Sequence, residues 1–344
     1  MNDSSVKKCL YCYKAIDNES EGHYHSKCAK KLFGTTKLPI LPYTRDNIEE
    51  LALHILQSNT SITGVQPKLS LDINRGGKNE PAKLTIVGLW GNFILKPQSS
   101  KYHFMPELED LTMKLAEVAG IATAPHGLIT MQDGELAYIT RRMDRGRKGE
   151  KYSMLDMCQL TNRLTEHKYR GTYIQLAETI KRYSVASMLD VQRFWEMVIF
   201  SWITGNSDMH CKNFSLLDKD GTGYQLSPAY DLLAVLLTGI NDNDELAMPL
   251  IGNGEEDGKR IAGFNRVSFI EAMEKSGIQT RIAEKIIDKF FMCTDKWFAL
   301  IDDSFLSSEL KSNYKLLVKE RMSRIVSAET DVIKHRHHPF RIQL

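Results

Sequence analysis

Two aspartates and an asparagine in the middle of the chain restrict its possible fold more than any other feature of the sequence. Asp208 and Asn213 lie five residues apart, and Asp231 follows eighteen residues later. Two apolar runs, Phe214–Leu217 and Tyr224–Leu226, predict a hairpin between them. Phosphoryl transfer in kinases needs a carboxylate near the acceptor hydroxyl and oxygen ligands for Mg²⁺, and these residues occur in that order. A single loop aspartate is more often a turn residue, but the three together with the hairpin indicate catalysis.

Hydrophobic patterning divides the chain into a β-rich part and a longer helical part. Strand-like runs lie within residues 69–96 and 127–140, and helical periodicity dominates the second half of the chain. We therefore expect an α+β protein with a small β-rich lobe, a larger helical lobe and a nucleotide cleft between them. The expected divisions are an N-terminal segment over residues 1–44, a first lobe over 45–143 and a second lobe over 144–344.

Charge and composition exclude several classes of protein. Lys and Arg number 45 and Asp and Glu number 43, so the net charge of +2 gives no bulk attraction to nucleic acid. No apolar run approaches the roughly 18 residues of a membrane span, and Met1–Ser5 contains no apolar secretory signal. We therefore expect a cytoplasmic protein without a membrane partner. The surplus of Asn, Asp, Glu and Gly in residues 241–260 predicts exposed, solvated loops.

Three of the six cysteines cluster near the N-terminus in a spacing typical of metal ligands. Cys9 and Cys12 form one pair, and His25 and Cys28 form a second pair after a spacer of twelve residues. Cysteine clusters in a reducing compartment bind metal more often than they form disulfides. The pattern predicts a tetrahedral Zn²⁺ knuckle, with His23 as a competing ligand. The alternative is a set of reduced cysteines beside a surface histidine.

A lysine at the end of an apolar strand is the second candidate for nucleotide binding. Lys96 ends the run Phe93–Lys96, and a lysine with buried neighbours needs an anionic partner. In kinases this lysine grips the α- and β-phosphates, and Glu107 or Glu109 on the next helix could pair with it. Alternatively, Lys96 extends to water at a strand end. The polar loop Ser61–Lys68 precedes it where a phosphate-covering loop belongs, although it lacks the Walker A pattern.

These motifs together resemble those of one family, the HipA toxin kinases, over about residues 50–330. The resemblance is carried by the segments Ser61–Lys68, Phe93–Pro97, Arg142–Arg145, Gly205–Ser215 and Ser227–Asp231. It implies a two-lobed protein-kinase-like fold and the toxin role in a type II toxin–antitoxin module.

Residue roles follow from the resemblance by position. It implies that Asp208 is the catalytic base, that Asn213 and Asp231 hold Mg²⁺, and that Ser61 or Thr63 is autophosphorylated. The implied ATP-binding residues are Thr63, Gly64, Val65, Gln66, Pro67, Lys68, Lys96, Arg141, Arg142, Met143, His210, Lys212, Asn213, Tyr230 and Asp231.

The N-terminus and the motif details set this chain apart from other kinases. Only about 45 residues precede the first lobe, which resembles the short HipT-type branch. That branch implies a small HipS-like partner, a helix-turn-helix HipB-like antitoxin, DNA contact only through the antitoxin, and an aminoacyl-tRNA synthetase as the target whose phosphorylation stops translation. Asp208 follows Asn-Ser instead of the His-Arg of eukaryotic kinases, and no glycine follows Asp231 at the usual place.

Other functions remain open from the residues alone. A small-molecule or lipid kinase of related fold shares the Asp-x4-Asn spacing. An inactive nucleotide-binding co-regulator that acts through a DNA-binding antitoxin is a second alternative, although it has no chemical need for Asp208, Asn213 and Asp231 together. A zinc-dependent adaptor accounts only for residues 9–28.

Overall fold

The computed structural model describes most of the chain. The described residues are 7–16, 22–48, 50–51, 68–75, 77, 80–88, 90–146, 149–240, 244–252 and 261–326. The predictions for Ser61 and Thr63–Pro67 therefore lie outside the described residues. No helix among the described residues is both long and apolar enough to span a bilayer.

A five-stranded antiparallel sheet forms the first lobe. Its strands are β1 (Leu69–Asn74), β2 (Lys83–Ile86), β3 (Phe93–Lys96), β4 (His126–Thr130) and β5 (Leu136–Arg141). Their order is β2-β1-β3-β5-β4, and every neighbouring pair is antiparallel. β3 is therefore the central strand, and its last residue, Lys96, is paired with Tyr138 of β5.

Helices α1 (Ser26–Phe33) and α2 (Met105–Val118) pack against this sheet. Helix α1 belongs to the N-terminal segment and ends at Gly34, whose φ of 75° provides the left-handed cap. Helix α2 packs against β4 and β5, and every residue from Met105 to Ala116 is buried. A helix enclosed on all sides must satisfy its charged side chains internally, which is the situation of the acidic residues described below.

The second lobe is mainly helical. Its helices are α3 (Met157–Leu160), α4 (Tyr173–Tyr183), α5 (Ser187–Thr204), α6 (Arg266–Lys275), α7 (Thr280–Phe291), α8 (Thr294–Asp303) and α9 (Ser308–Ile325). A small sheet of β6 (Ser153–Asp156), β7 (Ser215–Asp218) and β8 (Gln225–Leu226) lies in the order β6-β7-β8. The β7–β8 hairpin is the one that the sequence predicts between Asn213 and Asp231.

Two hydrophobic clusters stabilise the molecule. One joins the helices of the second lobe with α2 and is centred on α5, whose Trp195 and Trp202 are fully buried. The other joins the sheet to the N-terminal segment, including Cys9 and Tyr24. The boundaries at residues 44 and 143 stay predictions.

The expectation of exposed loops over residues 241–260 is wrong for the part that the structure describes. Residues 245–248 are buried, and Glu245 accepts a hydrogen bond from Trp202 Nε1 over 2.9 Å. Arg321 and Arg324 also pair with Glu245, at 2.7 and 2.8 Å. Burial favours the protonated acid, but the hydrogen bonds and these arginines outweigh it and hold the pKa of Glu245 at about 2. Glu245 can therefore be buried as a charged group, because side chains of α5 and α9 bond to its carboxylate.

Candidate functional site

Four charged side chains meet at the end of β3, and we call them the charge centre: Lys68, Lys96, Glu109 and Asp231. Lys96 Nζ lies 2.5 Å from Glu109 Oε1 and also forms an ion pair with Asp231. Lys68 Nζ lies 3.1 Å from the other oxygen of Asp231. Of the two glutamates considered for Lys96, the structure selects Glu109, because Glu107 accepts a hydrogen bond from Gln98 instead.

Burial and charge oppose each other within the charge centre. Burial raises the pKa of Glu109 to about 7, although Lys96 counteracts the rise. Burial acts in the same direction on Asp231, but Lys68 and Lys96 outweigh it and hold the pKa of Asp231 well below its usual range. Asp231 is therefore ionised at neutral pH, as a carboxylate that binds a cation must be.

The backbone around Asp231 is held by both lobes. Asp231 has a φ of 58°, a left-handed conformation that is uncommon for a residue with a side chain. Two residues earlier, Ala229 exchanges backbone hydrogen bonds with Ala122 and Ala124 of the first lobe, at 2.7 and 2.8 Å. The Tyr230 hydroxyl donates to the carbonyl of Lys212 over 2.8 Å. These bonds fix the strained residue where Lys96 meets it.

The loop that carries Asp208 and Asn213, residues 205–213, is here called the acceptor loop. It begins at Gly205, which ends α5 with a φ of 74°, and an added Cβ there would lie 2.6 Å from Leu317. Asn213 Nδ2 donates to the backbone oxygen of Asp208 over 3.0 Å. This bond closes the loop and fixes which way the Asn213 amide oxygen points.

The Asp208 carboxylate has a partner that sequence reasoning missed. The hydroxyl of Tyr169 donates to Asp208 Oδ1 over 2.6 Å. The Asp208 side chain is 48% exposed, and His210 Nε2 is 4.0 Å from the same oxygen. Tyr169 precedes Asp208 by 39 residues on the chain, and no motif in the sequence marks it.

His210 and Lys212 have environments that differ from each other. His210 is buried, which lowers its pKa to about 4, so its imidazole is neutral at pH 7. Its Nδ1 has no hydrogen-bond partner among the residues that the structure describes. Lys212 Nζ instead forms an ion pair with Asp156 at 2.8 Å. His210 therefore lies beside Asp208 as a neutral imidazole, whereas Lys212 is paired with Asp156.

The segment after β5 connects the two lobes. Arg142 forms two hydrogen bonds to Asp144, from Nε at 2.9 Å and from Nη2 at 2.8 Å. Its backbone N–H donates to Asn92, and that of Arg141 donates to Pro125, both over 2.8 Å. Met143 packs against the helical cluster. Arg141, Arg142 and Met143 thus lie at the connection between the lobes.

The N-terminal cysteines and His25 converge as their spacing predicts. One ligand atom from each of Cys9, Cys12, His25 and Cys28 lies within 4.8 Å of all the others. His25 Nδ1 is 3.4 Å from the Cys12 sulfur and 3.8 Å from the Cys28 sulfur, and its Nε2 lies 2.9 Å from the carbonyl of Ala15. His23 is exposed and is not part of this group. The donor set fits a tetrahedral zinc ion, and the contact between His25 Nε2 and the Ala15 carbonyl would orient the imidazole toward it.

Sequence comparison relates the chain to proteins with kinase names. The family model described as "HipA-like C-terminal domain" matches residues 60–297. A Haemophilus influenzae protein named "Putative kinase" is 26% identical over 288 residues, which cover 78% of this chain and 82% of that protein. The Shewanella oneidensis "Serine/threonine-protein kinase toxin HipA" is 26% identical over 231 residues. That match covers 62% of this chain and about half, 51%, of the toxin.

Structural comparison confirms the predicted two-lobed kinase-like fold. One chain of the Shewanella oneidensis MR-1 complex of HipA, HipB and operator DNA matches with a TM-score of 0.63 at 20% identity, covering 83% of this chain and 73% of that chain. The Helicobacter pylori proinflammatory kinase CtkA matches with a TM-score of 0.52 at 17% identity, covering 77% and 95%.

Proposed function

Because the chain belongs to the family of the HipA-like C-terminal domain, we propose that it is an ATP- and Mg²⁺-dependent serine/threonine protein kinase that acts as the toxin of a type II toxin–antitoxin module. The observation that carries the proposal is the ion-paired set of Lys96, Glu109 and Asp231. Asp231 of this set follows Tyr230, whose hydroxyl donates to Lys212 of the acceptor loop, and that loop carries Asp208 and Asn213. Kinases need these groups together.

The residues of the cleft divide the chemistry between them. Lys96 binds the α- and β-phosphates, and Glu109 holds its ammonium in place. Asp208, half-exposed at the cleft, accepts the proton of a protein hydroxyl as that oxygen attacks the γ-phosphorus and ADP leaves. His210 is neutral at pH 7, so it contributes a hydrogen bond and not a charge beside the phosphates.

Asn213 and Asp231 are the residues that would hold Mg²⁺. The fit rests on their chemistry: Asp231 is ionised, and the Asn213 amide is oriented by its bond to the Asp208 carbonyl. When bound, the metal neutralises phosphate charge. Lys68 is 49% exposed at its side chain, and we infer that it leaves Asp231 and contacts the nucleotide when ATP binds. Thr63–Pro67, which precede Lys68 in sequence, are proposed as further nucleotide-binding residues. Arg141, Arg142, Met143, Lys212 and Tyr230 complete the proposed nucleotide site.

We infer the biological context from the family and from the relatives. A HipB-like helix-turn-helix antitoxin and a small HipS-like protein are the proposed partners, and contact with DNA is made through the antitoxin. The net charge of +2 supports this indirect contact. The proposed substrate is an aminoacyl-tRNA synthetase in the cytoplasm, so phosphorylation would stop translation.

Self-phosphorylation of Ser61 or Thr63 is proposed as the off-switch. A phosphate carries about −1.5 to −2 charge at pH 7, and it would stand next to the phosphate-covering segment in sequence. Repulsion between this group and ATP inactivates the kinase. The double variant Ser61→Asp/Thr63→Asp should therefore lose ATP binding, and normal binding would exclude the mechanism.

Intact-mass spectrometry after incubation with Mg-ATP tests the kinase proposal. The wild-type chain should gain one or two phosphates on Ser61 or Thr63, and Asp208→Ala should gain none. Asp220→Ala is the matched control, because Asp220 lies in the exposed turn of the β7–β8 hairpin. Phosphate on the Asp208→Ala chain would refute the assigned base, and ATP binding without any phosphate would favour the inactive co-regulator.

We further propose that Cys9, Cys12, His25 and Cys28 bind one structural Zn²⁺. Elemental analysis of the purified chain should give about one zinc per molecule, and Cys28→Ser should remove it. Cys293→Ser is the control, because Cys293 is a half-buried cysteine on the other lobe. A wild-type chain that stays free of zinc after refolding with the metal would refute the site.

A further inference from the structure

The zinc knuckle, defined as residues 7–16 and 22–33, contacts the helix that carries Glu109. The Tyr13 hydroxyl donates to Asp110 Oδ2 over 2.7 Å, and the two residues are 3% and 0% exposed. Asp110 directly follows Glu109, whose carboxylate pairs with Lys96. A hydrogen bond from the knuckle therefore ends one residue away from the charge centre.

Asp110 is held from three directions. Besides Tyr13, it is bonded to His126 Nδ1 of β4 at 2.7 Å and lies 3.5 Å from Lys114 Nζ. Consecutive helix residues point about 100° apart, so Asp110 and Glu109 face different sides of α2. A contact that fixes the direction of Asp110 therefore also fixes the rotation of α2 and the direction of Glu109.

The start of α2 does little to fix that rotation by itself. Its N-cap residue, Phe104, has a φ of 60° and gives no side-chain capping bond. Polar anchors of α2 on the helical lobe lie further along, where Thr112 bonds to Tyr314 at 2.8 Å and Trp297 donates to the Leu115 carbonyl over 2.9 Å. Near Glu109, the contacts of Asp110 therefore add to the buried packing of the helix and to the Gln98–Glu107 bond in fixing its orientation.

The metal-binding loop places the Tyr13 side chain. Tyr13 follows the ligand Cys12, its N–H donates to the Cys9 carbonyl over 2.9 Å, and its φ is 63°. Its ring packs edge-on against Phe305 of the helical lobe, with centroids 5.1 Å apart. The turn between Cys9 and Cys12 therefore directs the phenol away from the knuckle and into the junction of α2 with the second lobe.

We propose that Tyr13 and Asp110 are positioning residues through which the zinc knuckle fixes α2 and thereby the Lys96–Glu109 pair that binds ATP. The inference rests on the proposed kinase function of the cleft. Removal of the phenol leaves Asp110 with two partners and permits α2 to rotate. The expected consequence is weaker ATP binding by a chain that is still folded.

Calorimetric titration of the full chain with Mg-ATP tests the proposal, using Tyr13→Phe and a matched control. The control is Tyr24→Phe, because Tyr24 is a knuckle residue that is 1% exposed and donates to the Leu128 carbonyl of β4 over 2.6 Å. Each variant loses one buried hydroxyl, so their melting temperatures should fall by similar amounts. Tyr13→Phe should also weaken ATP binding about three- to ten-fold, whereas Tyr24→Phe should not.

A second variant approaches the same contact from the helix. Asp110→Asn should weaken ATP binding at least as much, because it also alters the contacts with His126 and Lys114. The double variant with Tyr13→Phe should bind ATP as well as Asp110→Asn does, because the phenol acts through Asp110. Equal ATP affinity of wild type, Tyr13→Phe and Asp110→Asn would overturn the inference, as would an equal loss in Tyr24→Phe. Absence of ATP binding by the wild-type chain would instead refute the kinase proposal, which keeps the two failures distinct.

Discussion

The charge centre and the acceptor loop lie next to each other but are built in opposite ways. The side chains of Lys96 and Glu109 are 6% and 2% exposed and pair with each other. The carboxylate of Asp208 is 48% exposed and is held by one phenol. The half of the site that would bind ATP is thus fixed by buried charges. The half that would meet a protein hydroxyl has a fixed backbone and an exposed Asp208 carboxylate. Such exposure is needed if the acceptor hydroxyl belongs to a large protein substrate.

Replacement of Lys96 should have the largest effect, because it removes the cation shared by the buried carboxylate of Glu109 and the partly buried carboxylate of Asp231. Lys96→Met leaves Glu109 without this partner and Asp231 with only Lys68. Breaking a buried pair in this way costs about 3–5 kcal/mol of unfolding free energy. Urea denaturation should show this loss, and a Mg-ATP titration should show no binding.

Lys68→Met is the control that sharpens the contrast. Lys68 pairs with the same Asp231 carboxylate, but its side chain is 49% exposed. An exposed ion pair contributes at most about 1 kcal/mol to stability. If the two lysine variants lose equal stability, the burial of Lys96 is not what makes its ion pairs stabilising.

The pH dependence of stability should report a second buried acid on α2. Burial raises the pKa of Glu107 to about 7, although Gln98 donates a hydrogen bond to it. An acid whose pKa is higher in the folded state contributes stability below about 4.5, and this contribution is lost as the pH rises through 7. Glu107→Gln removes the ionisable group and should flatten this part of the profile.

Urea denaturation of wild type and Glu107→Gln at pH 4 and pH 8 measures the effect. The difference in unfolding free energy should move by about 3 kcal/mol in favour of the variant between the two values, because the pKa of Glu107 rises from 4.5 to about 7 on folding and one pKa unit corresponds to about 1.4 kcal/mol. Parallel curves would show that the first turn of α2 admits enough water to ionise Glu107 without cost. In that case water reaches the Glu107 carboxylate in the folded state, and the region of α2 that excludes water begins at Glu109.

The spacing of the proposed catalytic residues was predictable because those residues are close in sequence. Asp208, Asn213 and the β7–β8 hairpin all lie between residues 208 and 226. The apolar runs of the two strands and the polar loop between them can therefore be recognised from the local sequence. Lys96 was predictable for the same reason, at the end of a short apolar strand. The structure places β3 over Phe93–Lys96, which agrees with the pattern.

Contacts between distant segments were not predictable. Glu107 and Glu109 have the same chemistry and differ only in their direction around α2, which depends on how the helix packs. Tyr13 and Asp110 are separated by 97 residues, and Glu245 is 79 residues from Arg324. No local sequence pattern encodes such pairs. Composition alone predicted that residues 245–248 are exposed, but they are buried, and Glu245 is paired there with two arginines.

Tyr169→Phe should have the smallest effect and addresses the open half of the site. The variant keeps the ring and removes only the hydroxyl that donates to Asp208 over 2.6 Å. A hydrogen bond to a half-exposed carboxylate contributes about 1 kcal/mol, so the rate of phosphate transfer should fall about five-fold. ATP affinity and melting temperature should match those of Tyr183→Phe, a control at an exposed tyrosine of α4. An unchanged rate would mean that the substrate hydroxyl replaces the phenol at Asp208, so that the acceptor loop is orientated by its backbone alone.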